Sequence, residues 1–192
     1  MKFKNFFFTL ALLLVLADAN AAPGIGTMFA NFQGSAEAII KLIKTSSYVI
    51  GLFLVAGSIF KFTQLGQGQM TIKTPLMMFF SGIGIFALTG TVSIATQTLA
   101  MGNGPGSLLM PSAPGMNAAA SAAILGVLTF IRMVGYLAFV RGFLMLNQHG
   151  QGKEGTLGRG LTHIFGGVAA INVAITAKIL GNTFAPGLTL PF

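Results

Sequence analysis

The sequence contains no cysteine and no tryptophan, and only three of its 192 residues are acidic. Without cysteine there can be neither a disulfide framework nor a thiolate metal site. Charged residues make up 7% of the chain, whereas soluble domains carry about 25%. So few charges cannot cover a soluble surface, and a hydrophobic fraction of 54% indicates an integral membrane protein.

The scarcity of acids and histidines also argues against catalysis. Beyond the first 21 residues the only acids are Glu37 and Glu154, and His149 and His163 are the only histidines of the chain. The chain therefore offers no paired carboxylates for acid–base chemistry and no histidine with an acid or thiol at metal-ligand spacing. It also has no phosphate-binding loop, dinucleotide fingerprint or nucleophile elbow. We expect no enzyme activity, no metal and no cofactor.

The N-terminal segment has the three parts of a secretory signal peptide. Lys2 and Lys4 form a basic start, residues 6–16 are almost wholly apolar, and residues 19–21 (Ala-Asn-Ala) form a small-x-small cleavage site. We predict a signal peptide over residues 1–21. A retained anchor is the alternative, but the apolar stretch is shorter than the roughly 20 residues that cross a bilayer.

The remaining sequence predicts an all-α membrane protein with four transmembrane helices, arranged as two tandem helical hairpins. The first helix is expected to begin at Ser35, and the second and fourth spans (residues 76–100 and 160–180) are each predicted to be one membrane crossing. The predicted organisation is a flexible periplasmic arm (22–34), a first hairpin (35–100), a periplasmic Gly/Pro loop (101–116), a second hairpin (117–182) and a periplasmic tail (183–192).

Each hairpin is predicted to close through a polar turn with the sequence Gln-x-Gly-Gln-Gly. The turn residues are Gln64, Gly66, Gln67 and Gly68 in the first hairpin, and Gln148, Gly150, Gln151 and Gly152 in the second, 84 positions later. The match indicates a duplicated hairpin, although two unrelated hairpins could both need a flexible polar turn. Because each unit has an even number of spans, the two copies would have the same orientation.

The distribution of cations predicts that both turns face the cytoplasm of a bacterium and that the chain crosses the inner membrane several times. Cytoplasmic loops carry an excess of Lys and Arg. In this topology the cytoplasmic cations are Lys61, Lys73, Arg141, Lys153 and Arg159, and the outer cations are Lys41, Lys44 and Lys178. The cations are too scattered to predict direct nucleic-acid binding, and they favour contact with anionic membrane lipids.

Four residues are candidate contacts for a partner or a lipid: Arg132, Arg141, His149 and Lys153. Arg132 lies nine positions, or about 13 Å of helix, before Arg141. A charge that deep in lipid normally has a partner, so another subunit or a captured lipid phosphate could hold it. The alternative is that Arg132 reaches local water. The second turn carries more charge than the first and is the better candidate for specific contact.

Glycines that the two hairpins share are candidate helix-packing positions: Gly51, Gly82, Gly135 and Gly166. Small residues at four-residue spacing let helices approach closely in lipid. Packing within one bundle and packing between subunits, including copies of this chain, both remain open.

A signal peptide followed by two apolar helices with a short basic turn resembles the pilins of type IV secretion systems, and here that hairpin occurs twice. Residues 57–68 (GSIFKFTQLGQG) and 143–153 (FLMLNQHGQGK) resemble the IcmC/DotE family. Its members are small inner-membrane components of the Dot/Icm type IVB secretion machinery, similar to TraQ-type proteins of conjugation systems. The resemblance implies a non-enzymatic structural component whose partners are other membrane subunits.

Two other functions remain open. An independent channel, transporter or holin-like pore would use Arg132 and Asn172 to line a polar cavity. A pilin-like subunit would leave the membrane to polymerise, but four spans instead of two argue against it.

Overall fold

The computed structural model describes residues 23–68, 71–98 and 117–184, apart from the side chains of residues 23–26 and 182. Within these ranges the chain forms six helices and no strand: α1 Pro23–Leu65, α2 Lys73–Phe86, α3 Leu88–Thr98, α4 Ala118–Gly150, α5 Thr156–Ile171 and α6 Val173–Phe184. The predicted signal peptide, the Gly/Pro loop and residues 185–192 of the predicted tail lie outside the described residues.

Two of the helices are long enough to cross a membrane individually. The 43 residues of α1 extend about 64 Å and the 33 residues of α4 about 50 Å, at 1.5 Å per residue. Both contain an apolar stretch of sufficient length. The prediction of an all-helical protein with membrane-spanning segments is confirmed at this level.

The first helix begins earlier than the sequence predicts. The flexible arm over residues 22–34 and the helix start at Ser35 are wrong for the described residues, because α1 already begins at Pro23. Ser35 lies inside α1, where its hydroxyl donates a hydrogen bond to the Asn31 carbonyl at 3.1 Å. Aromatic side chains from this section pack on α4. That tertiary contact supports helix in a segment whose glycines make it look flexible.

The helices α1 and α4 run side by side in the same direction. Near their N-terminal ends the rings of Phe32 and Phe130 lie 6.0 Å apart. Further along both helices, Lys44 Nζ lies 5.0 Å from the ring centre of Tyr136. Residue numbers therefore rise together along the interface. The two hairpins begin at the same end of the bundle, as a repeat in one orientation requires.

The second and fourth predicted spans are both broken near their middle. The chain bends by 93° between α2 and α3, at Ala87, and by 90° between α5 and α6, at Asn172. The prediction of one uninterrupted crossing over residues 76–100, and of another over 160–180, is wrong in this respect. The described chain offers two straight membrane spans, or up to four if each bent pair crosses once.

Short polar side chains satisfy the backbone at these breaks. The Asn172 amide donates to the Val168 carbonyl at 2.9 Å, and the Thr176 hydroxyl reaches across the break to the Ala169 carbonyl at 2.9 Å. An unpaired backbone group in lipid costs several kcal/mol, so a bent helix needs such replacements. Average hydropathy contains no information about them, which is why the sequence predicts straight spans.

The core lies where the two long helices meet the halves of the bent pairs. Its buried hydrophobic residues come from α1, α3, α4 and α5: Ile40, Leu88, Val92, Tyr136, Phe139, Val168 and Ile171. The second break is joined to α3, because the buried Asn172 side-chain amide donates to the buried Thr96 hydroxyl at 2.9 Å.

The two hairpin turns have the same backbone geometry. Each contains two successive hydrogen bonds from an N–H to the carbonyl three residues earlier: Gln67 to Gln64 and Gly68 to Leu65, then Gln151 to Gln148 and Gly152 to His149. Gly68 (φ 71°) and Gly152 (φ 90°) both adopt the left-handed conformation that glycine accommodates without strain. The Thr74 hydroxyl donates to the Gly150 carbonyl at 2.7 Å, which places both turns at one end of the bundle.

Candidate functional site

Arg132 lies in a cleft of about 240 Å³ between α1 and α4, which we call the α1–α4 basic cleft. The residues that line it on α1 recur at helical spacing and so share one face. The parallel course of α4 brings Arg132 to the same level. The lining residues are Glu37, Ile40, Lys41, Lys44 and Arg132.

This cleft holds three cations and one acid. The Nε atom of Arg132 is buried and has no hydrogen-bond partner among the described residues. Lys44 is held over the ring of the buried Tyr136, where a cation–π interaction stabilises its ammonium group. Arg132 is therefore one member of a charged cluster instead of an isolated charge in lipid. An acceptor atom brought by another molecule would complete the hydrogen bonding of Arg132.

A second cleft of about 370 Å³ lies between the end of α4 and the start of α5, and we call it the α4–α5 basic cleft. Three cations line it and no acid does, so it attracts anions. Its lining residues are Arg141, Leu144, Met145, Gln148, Lys153, Thr156 and Arg159.

The second hairpin turn builds this cleft. Arg141 and Gln148 are seven positions apart on one face of α4. Gly155 adopts φ 70° immediately before α5, and the Thr156 hydroxyl donates to the Lys153 carbonyl at 2.7 Å. These features fold the start of α5 back beside α4. The free N–H groups at the N-terminus of α5 add to the positive field of the cations.

The structure divides the four candidate contact residues among three places. It brings Arg141 and Lys153 together in the α4–α5 basic cleft and puts Arg132 in the α1–α4 basic cleft. His149 lines neither; it lies in the last turn of α4 with a buried Nδ1 that has no partner in the described part of the chain. The sequence analysis missed Arg159 as a member of the cleft, although the short turn predicts that α5 begins beside the end of α4.

Three of the four predicted packing glycines are confirmed. A Cβ added to Gly51 would collide with the backbone of Phe86, and one on Gly82 would lie 2.8 Å from the backbone nitrogen of Val55. One on Gly135 would lie 2.7 Å from the backbone nitrogen of Ile171. These glycines therefore mark the closest approaches between helices.

Gly166 makes no packing contact in the described part of the chain, because a Cβ at this position would meet nothing within 4 Å, so of the two predicted kinds of packing only contact with another subunit is left for it. The neighbouring Gly167 makes the contact instead: a Cβ there would lie 2.8 Å from the backbone nitrogen of Phe139 and 2.9 Å from the Gly135 carbonyl. One position along a helix is a rotation of about 100°. The spacing in the sequence therefore identifies the right helical turn of α5, but Gly167, and not Gly166, lies on the face that packs against α4.

Three of the predicted turn positions also need correction. Gln64 and Gln148 lie inside α1 and α4, and Gly150 is the last residue of α4. Gly150 packs against the Met77 side chain and is buried. It therefore serves helix packing, while Gly152 supplies the flexible turn.

Within the described ranges, no three acidic, histidine or cysteine side chains converge on a point that could hold a metal ion. No known protein family, curated protein or solved structure matches this chain. The IcmC/DotE resemblance therefore remains a prediction from the two turn motifs, and the function must be argued from the described residues.

Proposed function

We propose that this chain is a non-enzymatic membrane subunit of a type IVB (Dot/Icm-like) secretion or conjugation apparatus, and that it acts by helix packing with other membrane subunits. The turn motifs of the sequence support the choice of apparatus. The observation that carries the packing role is an exposed stripe of small residues on α5, formed by Gly158, Thr162 and Gly166.

No other helix of the described part of the chain covers the two glycines of the stripe. Its members recur every four residues and so lie on one face of α5. A Cβ added at Gly158 or Gly166 would meet no atom within 4 Å. The Thr162 hydroxyl already donates to the Gly158 carbonyl at 2.9 Å, so the stripe presents no unsatisfied donor.

The surroundings of the stripe suit a helix of another membrane protein. Leu157, Leu161 and Phe165 border it and are themselves exposed. Helices associate in lipid by close backbone approach, because apolar side chains gain little when they leave apolar lipid. The internal interfaces of this protein use glycines in that way, and the α5 stripe offers the same geometry to a partner.

The first helix leaves a second broad surface for lipid and neighbouring subunits. In the most apolar 18-residue stretch of α1, only 17% of the residues are buried by the rest of the chain. A neighbouring subunit that covered part of this surface would extend the packing proposed for α5.

An independent channel has less support. The polar residue expected to line its cavity, Asn172, is 1% exposed and is bonded to the buried Thr96. Arg132 lies in a lateral cleft between α1 and α4. In the described part of the chain, one of these groups therefore serves packing and the other lines a lateral cleft.

A crosslinking experiment in native membranes tests the proposal. A photoreactive amino acid at Gly166 should crosslink to a membrane subunit of a secretion or conjugation complex, and Gly166→Leu should lower recovery of that subunit by about fivefold, as loss of about 1 kcal/mol of helix association predicts. The matched control is Gly34→Leu on α1, another exposed glycine with nothing within 4 Å. Crosslinks only to unrelated proteins, or a chain that purifies alone, would contradict the proposal.

A further inference from the structure

An apolar groove runs between α1 and α4 with a volume of about 440 Å³. Its walls include Ile43 and Ile50 of α1, and Leu137 and Val140 of α4. The Ser47 hydroxyl in this wall donates to the Ile43 carbonyl at 2.7 Å, so it adds no free polar group. The groove offers an elongated hydrocarbon surface to a ligand.

The groove meets the α4–α5 basic cleft at two residues. Arg141 and Leu144 line both of them. The cleft and the groove therefore adjoin. The cleft supplies three cations at the end near the turn, and the apolar groove extends from there along α1 and α4, away from the turn. A ligand that fits both parts has an anionic head and an apolar tail.

The dimensions match one leaflet of a bilayer. From Gln148, in the basic cleft, to Leu137, in the groove, α4 rises eleven residues, or about 16 Å. Half of a hydrocarbon core of about 30 Å is about 15 Å. With the turn at headgroup level, the cleft and the groove together reach the depth of one leaflet, and the groove accounts for seven residues of that rise, or about 10 Å, from Leu144 to Leu137. The long side chain of Arg141 can then extend toward the headgroups.

We propose that this surface binds one anionic phospholipid, with its phosphate in the α4–α5 basic cleft and an acyl chain in the groove between α1 and α4. The phosphate receives charge-assisted hydrogen bonds from Arg141, Lys153 and Arg159. A free phosphate would make no use of the groove, and a zwitterionic lipid would bring its own cation to a cleft that already holds three. The proposal goes beyond the secretion role and does not depend on it.

Native mass spectrometry of the full chain in detergent tests the headgroup contacts. The probes are palmitoyl-oleoyl phosphatidylglycerol and palmitoyl-oleoyl phosphatidylcholine. We expect at least about tenfold preference for the anionic lipid, since the three cations of the cleft attract its net negative charge. The combined variant Arg141→Gln, Lys153→Gln and Arg159→Gln should abolish this preference. The charge-matched control Lys61→Gln, Lys73→Gln and Lys178→Gln should retain it.

Two tryptophan variants test whether the acyl chain lies in the groove. Ser46 lines the groove, and the neighbouring exposed Thr45 lies outside the lining. We expect Ser46→Trp to reduce binding of the anionic lipid several-fold and Thr45→Trp to leave it unchanged. Inorganic phosphate should not displace the lipid.

Three outcomes would overturn the proposal: equal binding of both lipids, equal loss in the cleft variant and its control, or displacement by inorganic phosphate with no effect of Ser46→Trp. The last would identify a site for free phosphate. Lys153→Gln alone, on an exposed turn, should cause a partial loss without any threat to folding. Intact lipid preference in this variant would count against the proposal.

Discussion

The side-chain amide of Asn172 donates a hydrogen bond to the hydroxyl of Thr96, 76 positions earlier, at 2.9 Å. Both residues are at most 1% exposed. Asn172 lies at the bend between α5 and α6, and Thr96 lies in α3, the second half of the other bent pair. The bond therefore connects the bend of one pair to the second half of the other pair.

We expect Asn172 and Thr96 to be energetically coupled. A double-mutant cycle with Asn172→Leu and Thr96→Val should give a coupling free energy of about 0.6 kcal/mol and at most about 2 kcal/mol, the range for hydrogen bonds between membrane helices. The measurement is reversible unfolding in mixed micelles. Thr98→Val is the control partner, because the exposed Thr98 hydroxyl donates to the Ile94 carbonyl of its own helix. Equal coupling for both threonines would refute the expectation.

Adjacent glycines on α5 should respond in opposite ways to alanine. Gly167→Ala forces a methyl group against the Phe139 and Gly135 backbones, so it should lower the free energy of unfolding by about 1–3 kcal/mol. Gly166→Ala has open space around it and should raise stability by about 0.5–1 kcal/mol through helix propensity. Thermal unfolding of both variants in the same detergent checks this. Equal changes would mean that the rotational setting of α5 is wrong.

Removal of the charge at Arg132 should stabilise the isolated protein. Arg132→Met takes away a guanidinium whose buried Nε has no partner in the described residues and which lies beside two lysines. An unsatisfied buried donor costs about 1–3 kcal/mol, and its removal should recover part of that free energy. The control is Lys178→Met, at an exposed position that should show no change. The measurement is thermal unfolding in neutral detergent. A melting temperature for Arg132→Met below that of the unmodified protein would disprove the prediction.

Cysteine accessibility should report both turns on one side of the membrane. The native chain has no cysteine, so single cysteines at Gln67 and Gln151 have a clean background. Both positions are exposed. We expect a membrane-impermeant maleimide to label them from the cytoplasm only, and to label Asn31→Cys, in the N-terminal part of α1, from the periplasm only. Labelling of the two turns from opposite sides would be incompatible with the hydrogen bond between Thr74 and Gly150.

The features that the sequence predicts well depend on local chemistry. The sequence predicts that the second hairpin begins at residue 117. In the structure the Asn117 side chain is the N-cap of α4 and accepts a hydrogen bond from the Ala120 N–H. The polar turns were predicted because glycine and glutamine interrupt long apolar segments. The glycines at Gly51, Gly82 and Gly135 were found from their correspondence between the two hairpins. Each of these signals is contained in a few consecutive residues or in one alignment.

The missed features depend on contacts between distant segments. The bend at Asn172 is stable because polar side chains replace lost backbone bonds, and Thr96 takes part from another helix. The choice between Gly166 and Gly167 needs the rotation of α5 about its axis. Arg159 lines the basic cleft because the turn places the start of α5 beside the end of α4. Hydropathy and spacing alone cannot specify these arrangements.

The parallel course of α1 and α4 limits the ways in which the chain can be threaded through a bilayer. A polypeptide that crosses twice in one direction must come back in between. If α1 and α4 both span, residues 66–117 have to make that return, and the described part of the return is the bent pair α2–α3. If the bent pair itself makes the return, its 93° bend is an elbow partway through a crossing, at a depth where a membrane helix is usually straight.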